Sequence, residues 1–206
     1  MLLSVGDLLF GNRKELIVQQ GHGEYYEASR QGRLYMASSA SAGIALIVPA
    51  TTGGHPTLWN PLGSGYNLSV VSLDLGYVSG NNAPTTIEWA RTKNAGAAAA
   101  TGSPILTATK VDVENCLVGA PADDTTIWSP TVNTFTAAPT FLGNTGLSLF
   151  TGVAATAVAP FPLHKEYHGA LVLMPGTAIS LCTQAATTTA LFQVTIVYER
   201  VPLGAA

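Results

Sequence analysis

The sequence contains few charged residues. Aspartate, glutamate, lysine and arginine make up 10% of its 206 residues, against an average of about 25% in globular proteins. Nine lysines and arginines neutralise few phosphates, which argues against a dedicated nucleic-acid-binding protein. Helical bundles place charged residues on their outer faces, so the low charge also argues against a bundle. Disorder is excluded because 47% of the residues are hydrophobic, whereas disordered chains are polar and charged.

The low charge raises the question of what covers the surface. A soluble monomer needs a polar surface, and this chain must build it from threonine, serine, asparagine and glycine. The other solution is a second subunit that covers part of the surface permanently. We therefore expect a homo-oligomer, and keep a monomer with a threonine- and serine-rich surface as the alternative.

Cysteines and long apolar runs are also scarce. The two cysteines, Cys116 and Cys182, form no CxxC pair, and we expect two buried free thiols on strands. The first residues, Met1 to Asp7, lack the basic region of a signal peptide. No apolar stretch reaches the roughly 18–20 residues that span a bilayer. These features predict a protein made and assembled in a cytoplasm, without a membrane partner.

Charge is concentrated near the N-terminus. Residues 1–35 hold eight of the 21 charged residues. We therefore predict an N-terminal arm, residues 1–35, and a body, residues 36–206. Within the arm, Glu15 to Gln19 has the composition of a strand, and Glu24 to Ser29 is either a short helical turn or extended chain.

The body has the pattern of a β protein, because glycine and proline interrupt it too often for helices. The stretch from Leu191 to Val201 alternates apolar and polar residues, as a half-buried strand requires. Asn67 to Val78 is the longest strand candidate, and its apolar residues change from even to odd positions between Val70 and Val71. That switch predicts a bulge or burial on both faces.

Further strand candidates are shorter. They are Ala42–Val48, Thr57–Trp59, Thr85–Lys93, a strand or pair within Ile105–Val118, Thr125–Trp128, Asn133–Ala137, Leu147–Phe150, His168–Met174 and Ala178–Thr183. Roughly eight to ten strands joined by irregular, partly long connections favour an all-β, jelly-roll-like antiparallel two-sheet sandwich with an extended N-terminal arm. An up-and-down barrel would have shorter and more even turns.

The sequence predicts no catalytic, metal-binding or cofactor-binding residues. His164 and His168 are four residues apart, which on a strand separates them by about 13 Å, too far to share one ion at bond lengths of about 2.1 Å. Neither a Gly-x-Ser-x-Gly nucleophile turn nor a glycine-rich phosphate loop is present.

A glycosidase remains an alternative that the residues do not favour. It needs two carboxylic acids at a set separation, usually with aromatic platforms for the sugar. The three tryptophans, Trp59, Trp89 and Trp128, each lie in a β-like run, where tryptophan is commonly part of the core. Asp74 interrupts an apolar strand, and we expect it at an edge or between subunits.

Four segments resemble small virion proteins of tailed bacteriophages. The first, residues 59–68, has the sequence WNPLGSGYNL and is similar to a WNP-x-G-S-G-x-N-L stretch in that group. The others are LGYVSG at residues 75–80, LMPGTA at 173–178 and VYERVP at 197–202. The matched pieces cover a minority of the residues between Leu58 and Pro202.

The resemblance implies a jelly-roll structural protein of the phage particle, commonly a trimeric decoration or cement protein on the capsid surface. Its partner would be the major capsid protein, and its location the virion. We place the contact with the capsid or neighbouring subunits in the arm. The candidate residues are Arg13, Tyr25, Tyr26, Arg30 and Arg33. A tail or fibre module that binds a receptor or glycan is the alternative.

Overall fold

The computed structural model describes residues 23–80, 85–93, 109–149, 163–185 and 190–203, together with the backbone of three short strands at 9–10, 16–17 and 105–107. Its elements are β1 (Leu9–Phe10), β2 (Leu16–Ile17), α1 (Tyr26–Arg30), β3 (Leu34–Ser38), β4 (Ile44–Ala45), β5 (Thr52–Gly54), β6 (Thr57–Asn60), β7 (Tyr66–Ser79), β8 (Thr85–Lys93), β9 (Ile105–Thr107), β10 (Val111–Asn115), β11 (Asp123–Ser129), β12 (Val132–Phe135), β13 (Thr140–Leu149), β14 (Leu163–Leu173), β15 (Thr177–Thr183) and β16 (Leu191–Pro202).

Eleven strands form one antiparallel sheet. Its order is β13-β8-β15-β6-β11-β10-β3-β16-β7-β14, with β4 paired to one end of β16. The two outermost strands, β13 and β14, contact each other, so the sheet curls round and nearly closes like a barrel. The prediction of an all-β antiparallel protein is confirmed. The sheet runs continuously through β10, which pairs with β11 on one side and with β3 on the other.

The interior of the curled sheet is the hydrophobic core. Strand β16 shows why the sequence folds this way, because Phe192, Val194, Ile196 and Tyr198 all point inward and are at most 1% exposed. The predicted alternation of β16 is therefore confirmed. Burial of such side chains is the main force that holds the strands together.

Strand β7 contains the bulge that its parity predicted. Its pairing with β16 matches Val70 to Tyr198 and Ser72 to Val197, so Val71 has no opposite residue. An extra residue on one strand is the definition of a β-bulge. Val70 and Val71 are consequently both buried although they are adjacent.

A smaller sheet covers part of the outside. Strands β5, β12 and β9 form it, and Phe135 of β12 packs on Ala178 of β15 and Trp59 of β6. Beside them, Thr57 and Ser180 share a hydrogen bond of 2.8 Å between their hydroxyls. Small side chains on the outer face of the large sheet allow this close approach of a second layer.

Two predicted boundaries differ from the observed ones. The predicted division between residues 35 and 36 falls inside β3, whose Leu34 and Tyr35 are each 8% exposed. The predicted strand Ala42–Val48 is paired only at Ile44 and Ala45. Leu46 is fully buried although it lies outside any strand. An apolar run in a sequence indicates burial, but it does not by itself indicate that the residues pair in a sheet.

Candidate interaction surface

The segment from residue 23 to residue 33 lies across the outer face of the large sheet. Helix α1 packs on β3, and Ala28 at its centre is 7% exposed. The amide of Arg33 donates to the carbonyl of Ala28, and the amide of Arg200 on β16 donates to the carbonyl of Arg33 at 2.8 Å. This part of the predicted arm therefore belongs to the folded body.

Two of the predicted interface residues face the chain's own sheet. The hydroxyl of Tyr25 is buried, and burial, followed by the neighbouring Glu24, raises its pKa to about 12. The guanidinium of Arg33 forms an ion pair with Glu199 of β16. The ion pair of Arg33 ties the end of the segment to β16, and the hydroxyl of Tyr25 is enclosed within the chain.

Two others face solvent. Tyr26 is 44% exposed, and the side chain of Arg30 is 58% exposed while it pairs with Glu27 at 2.7 Å. Arg13 lies outside the described residues. The helix thus presents one aromatic ring and one charge pair on its solvent side.

Three of the four segments singled out in the sequence, residues 59–68, 173–178 and 197–202, meet at one end of the barrel. Asn60 pairs with Thr177, which joins residues 59–68 to residues 173–178. The guanidinium of Arg200 lies 3.9 Å from the ring centre of Tyr66, which joins residues 59–68 to residues 197–202. We call this region the loop end, built by residues 61–65, 116–122, 174–176 and 203.

Asn60 connects the parts of the loop end. Its side-chain amide donates to the carbonyl of Tyr66 at 2.8 Å and to the carbonyl of Leu173 at 3.0 Å. Its backbone carbonyl accepts from the amide of Gly176 at 2.8 Å. Asn60 is fully buried, so these bonds satisfy backbone groups that water does not reach.

A buried ionic cluster lies beneath the loop end. Arg200 contacts the carboxylate of Asp123 at 3.0 Å, and the hydroxyl of Tyr198 donates to the same carboxylate at 2.8 Å. Burial alone would raise the pKa of Asp123, but hydrogen bonds from Thr126, Thr125 and Tyr198 outweigh it and lower that pKa.

Sequence reasoning missed this cluster, although one signal was present. Arg200 follows Ile196 and Tyr198 at alternate positions of the same strand, so its charged side chain is expected on the face that points toward the core. An inward-facing arginine requires a buried acid as its partner.

The loop end also exposes apolar side chains. Its exposed hydrophobic residues are Leu62 at 55%, Leu117 at 42%, Val118 at 97%, Met174 at 63% and Leu203 at 46%. Three of these loops adjoin, since the amide of Leu203 donates to the carbonyl of Gly65 and the amide of Gly176 donates to the carbonyl of Asn60, whereas the loop of Leu117 and Val118 is joined to β3 through the amide of Cys116 and the carbonyl of Leu34. Grouped apolar exposure of this kind is typical of a protein-protein contact.

The two histidines tested for metal binding contact carboxylates instead. His164 on β14 lies 2.6 Å from Asp74 through Nδ1 and 2.8 Å from Glu166 through Nε2. His168 lies 3.3 Å from Glu24 through Nδ1. Within the residues that the structure describes, no group of three or more histidine, cysteine or acidic side chains is arranged to hold a metal ion.

The tryptophans do not form an exposed row. Trp89 and Trp128 are 3% and 0% exposed, and their indole nitrogens donate to the Tyr167 hydroxyl and the Ser38 carbonyl. Trp59 is half-buried against the smaller sheet. In this arrangement Trp89 and Trp128 offer no surface on which a sugar ring can stack.

One cysteine lies beside a histidine, but the pair is not an activated nucleophile. Sγ of Cys182 is 3.5 Å from Nδ1 of His55, and both residues are fully buried. Burial raises the pKa of Cys182 to about 12 and lowers the pKa of His55. The thiol and the imidazole are therefore both neutral, whereas a reactive cysteine is a thiolate. Both cysteines are free, and Cys182 is buried on β15 as predicted, whereas Cys116 is half-buried and follows the end of β10.

The comparisons with known proteins assign no family. No family model matches the chain, and neither a curated protein nor a solved structure is significantly similar to it. Among the described residues, no helix is long and apolar enough to cross a membrane.

Proposed function

We propose that this chain is a non-enzymatic structural protein of a bacteriophage virion, most specifically a capsid decoration or cement protein that binds the outer capsid surface as a homotrimer. The observation that carries the proposal is the meeting of residues 59–68, 173–178 and 197–202 at the loop end. Segments that resemble virion proteins, and that are distant in sequence, thereby lie side by side at one end of the barrel. The finer fold in this proposal is a jelly-roll sandwich whose two halves join at β10.

The loop end supports the proposal through its composition. Leu62 and Met174 are more than half exposed, and an assembly that covers them removes apolar surface from water. The low charge of the chain fits the same explanation, because a surface covered by a neighbour needs few charges. We assign the loop end to the contact between subunits.

The N-terminal region is assigned to the contact with the major capsid protein. Residues 34–38 form β3 within the large sheet, so the capsid contact comes from earlier residues, including Arg13, and from the exposed Tyr26 and Arg30. Contacts that exist only in the assembled shell stabilise it by mass action. A trimer engages three such regions at once, so avidity multiplies weak contacts.

The first test is the absolute mass of the purified protein by light scattering. A mass three times the 21.3 kDa of the chain that persists at sub-micromolar concentration supports the trimer, and a stable monomer contradicts it. The double variant L62Q/M174Q should dissociate the trimer. V132Q is the matched control, because Val132 is 60% exposed but lies on the smaller sheet.

The second test is co-sedimentation with capsid shells assembled from the major capsid protein of the same genome. A variant that lacks residues 1–22 should keep the fold, measured by circular dichroism, and lose shell binding. Deletion of residues 1–35 would also remove Leu34 and Tyr35 of β3, so that variant would test folding rather than binding. Normal shell binding by the shorter deletion would contradict the assignment.

A further inference from the structure

An open cavity of about 250 Å³ lies on the outer face of the large sheet, where strands β16, β7 and β14 run side by side. It exists because Gly76 of β7 has no side chain. A Cβ atom at this position would meet Gln193 of β16 at ordinary van der Waals distances, 3.8 Å from its Cβ and 4.0 Å from its carbonyl oxygen. Glycine weakens a strand, and it often marks a place that a ligand or another chain approaches closely. The cavity is lined by Asp74, Leu75, Gly76, Leu163, Gln193 and Thr195.

The lining has the chemistry to bind a basic side chain. Asp74 contributes a carboxylate, which Nδ1 of His164 contacts at 2.6 Å, while Nε2 of His164 contacts Glu166 at 2.8 Å. Gln193 adds an amide and Thr195 a hydroxyl. Among the described residues that line the cavity, none is a lysine or an arginine. A carboxylate held in this way suits an arginine or lysine side chain, whose polar atoms are all hydrogen-bond donors.

The N-terminal segment enters the folded body beside this cavity. Glu24 lies 3.3 Å from His168 of β14, and His168 is on the same strand as His164, which holds the carboxylate of the cavity. The described part of the segment, which begins at Gly23, therefore starts on the outer face, next to the strand whose Leu163 lines the cavity.

A basic pair lies within reach of the cavity. Arg13 and Lys14 are adjacent in residues 11–15, which connect β1 to β2. The six residues from the end of β2 to Gly23 span up to about 20 Å when extended. From the point of entry beside β14, Leu163 is at most about 16 Å away along the strand. The connection is therefore long enough to bring its basic side chains to the cavity.

We propose that the cavity binds residues 11–15 of the chain's own N-terminal region, with the guanidinium of Arg13 against the carboxylate of Asp74. An exposed ion pair contributes little by itself. Because both partners belong to one chain, the tether gives a high effective concentration, so that a weak contact can form. The binding itself involves no capsid. Its role, which is to hold Arg13 until the capsid competes for it, rests on the proposed function and deepens it.

Disulfide trapping in the full chain tests the proposal. The variant N12C/Q193C places one thiol beside Arg13 and one in the cavity lining. It is made in a C116S background, because Cys116 is the more accessible of the two free cysteines. The control pair is N12C/V132C, since Val132 is 60% exposed but lies on the smaller sheet. Under mild oxidation, a disulfide within one chain should form at least about tenfold faster at the cavity than in the control, because docking raises the local concentration above that of a free tether.

Two further changes in the N12C/Q193C chain separate shape from charge. G76V fills the cavity with a residue that suits a strand, and the rate of disulfide formation should fall to that of the control pair. G143V is its matched control, because a Cβ atom at Gly143 of β13 meets nothing described within 4 Å, and it should leave the rate unchanged. R13Q/K14Q should lower the rate about as far as G76V does, because the tether alone then remains. Circular dichroism verifies that each variant keeps the fold.

Each other outcome counts against the site. A rate equal to that of the control pair, or fast trapping that survives G76V or R13Q/K14Q, would overturn the proposal. A disulfide that joins two chains, detected on a non-reducing gel, would overturn it as well, since the occupant would then be a second copy. The experiment contains no capsid, so its failure is distinguishable from a failure of the capsid assignment.

Discussion

Two ionic clusters in this molecule use the same chemistry in different surroundings. The cluster of Asp123 and Arg200 is enclosed, with side-chain exposures of 0% and 12%. The cluster of His164 and Asp74 is open, with exposures of 47% and 48%. Burial makes the first a part of the fold that cannot lose a partner without a large penalty, whereas solvent screens the second and leaves it free to respond to pH.

The largest expected effect comes from breaking the buried cluster. D123N removes the charge that compensates Arg200 and should lower the free energy of unfolding by about 3–5 kcal/mol. Urea unfolding at neutral pH measures it, as a lower midpoint with an unchanged slope. The matched control is D124N at the adjacent exposed residue, which should change stability by less than about 0.5 kcal/mol. Equal effects of the two variants would show that the cluster is not structural.

The buried cluster should also depend on acid in a defined direction. The folded-state pKa of Asp123 is lowered, so its stabilisation is complete above the pKa of an unfolded aspartate, about 3.9, and is lost as the pH falls through the folded pKa. The difference in unfolding free energy between wild type and D123N should therefore be constant near neutral pH and shrink below about pH 3.9. A difference that shrinks as the pH rises above neutral would contradict this sign.

A smaller effect separates a fully buried side chain, Asn60, from a partly buried one, Ser64, at the loop end. Asn60 and Ser64 donate to the same carbonyl, that of Tyr66, at 2.8 and 3.2 Å. N60A removes the side-chain donor from the buried carbonyl of Leu173 and should cost about 2 kcal/mol. S64A should cost less than about 1 kcal/mol, because Asn60 still donates to the Tyr66 carbonyl and water can replace the hydroxyl. Thermal or urea unfolding of the two variants compares them directly. Equal losses would mean that Asn60 does not fasten the loop end.

Much of the fold was predictable because its strands follow local patterns. The alternation of β16 and the parity switch at Val70 and Val71 are visible within a dozen residues, and both were confirmed. Strand β8 was predicted with its observed bounds, Thr85–Lys93. The spacing of apolar residues and the positions of turn residues indicate which residues share a face of a strand. Both can be read from a short stretch of sequence.

The candidate site was less predictable because its contacts join distant residues. Asp123 and Arg200 are 77 positions apart, and His164 and Asp74 are 90 positions apart. A local sequence pattern does not predict contacts between residues so far apart, and it does not predict that residues 23–33 fold back on the sheet. The concentration of charge in residues 1–35 suggested an arm, yet several of those charges bind one another or β16. Closure of the sheet is likewise a property of β13 and β14 together, and of neither strand alone.

The smallest expected effect belongs to the open cluster, and it tests the comparison most directly. A double-mutant cycle of H164Q and D74N should give a coupling free energy of about 0.2–1 kcal/mol in mild acid, since exposed pairs contribute little. The coupling should decline as the pH rises, because the stabilisation from a raised histidine pKa disappears when the ring is neutral.

The same cycle should respond to salt, while the buried cluster should not. At about 1 M salt the Debye length is about 3 Å, so exposed charges are screened. The control cycle pairs H164Q with D112N, because Asp112 lies on β10, from which β3, β16 and β7 separate β14, and its coupling should be zero. A coupling between His164 and Asp74 that equals the D123N effect, or that survives high salt unchanged, would show that exposure does not distinguish the two clusters.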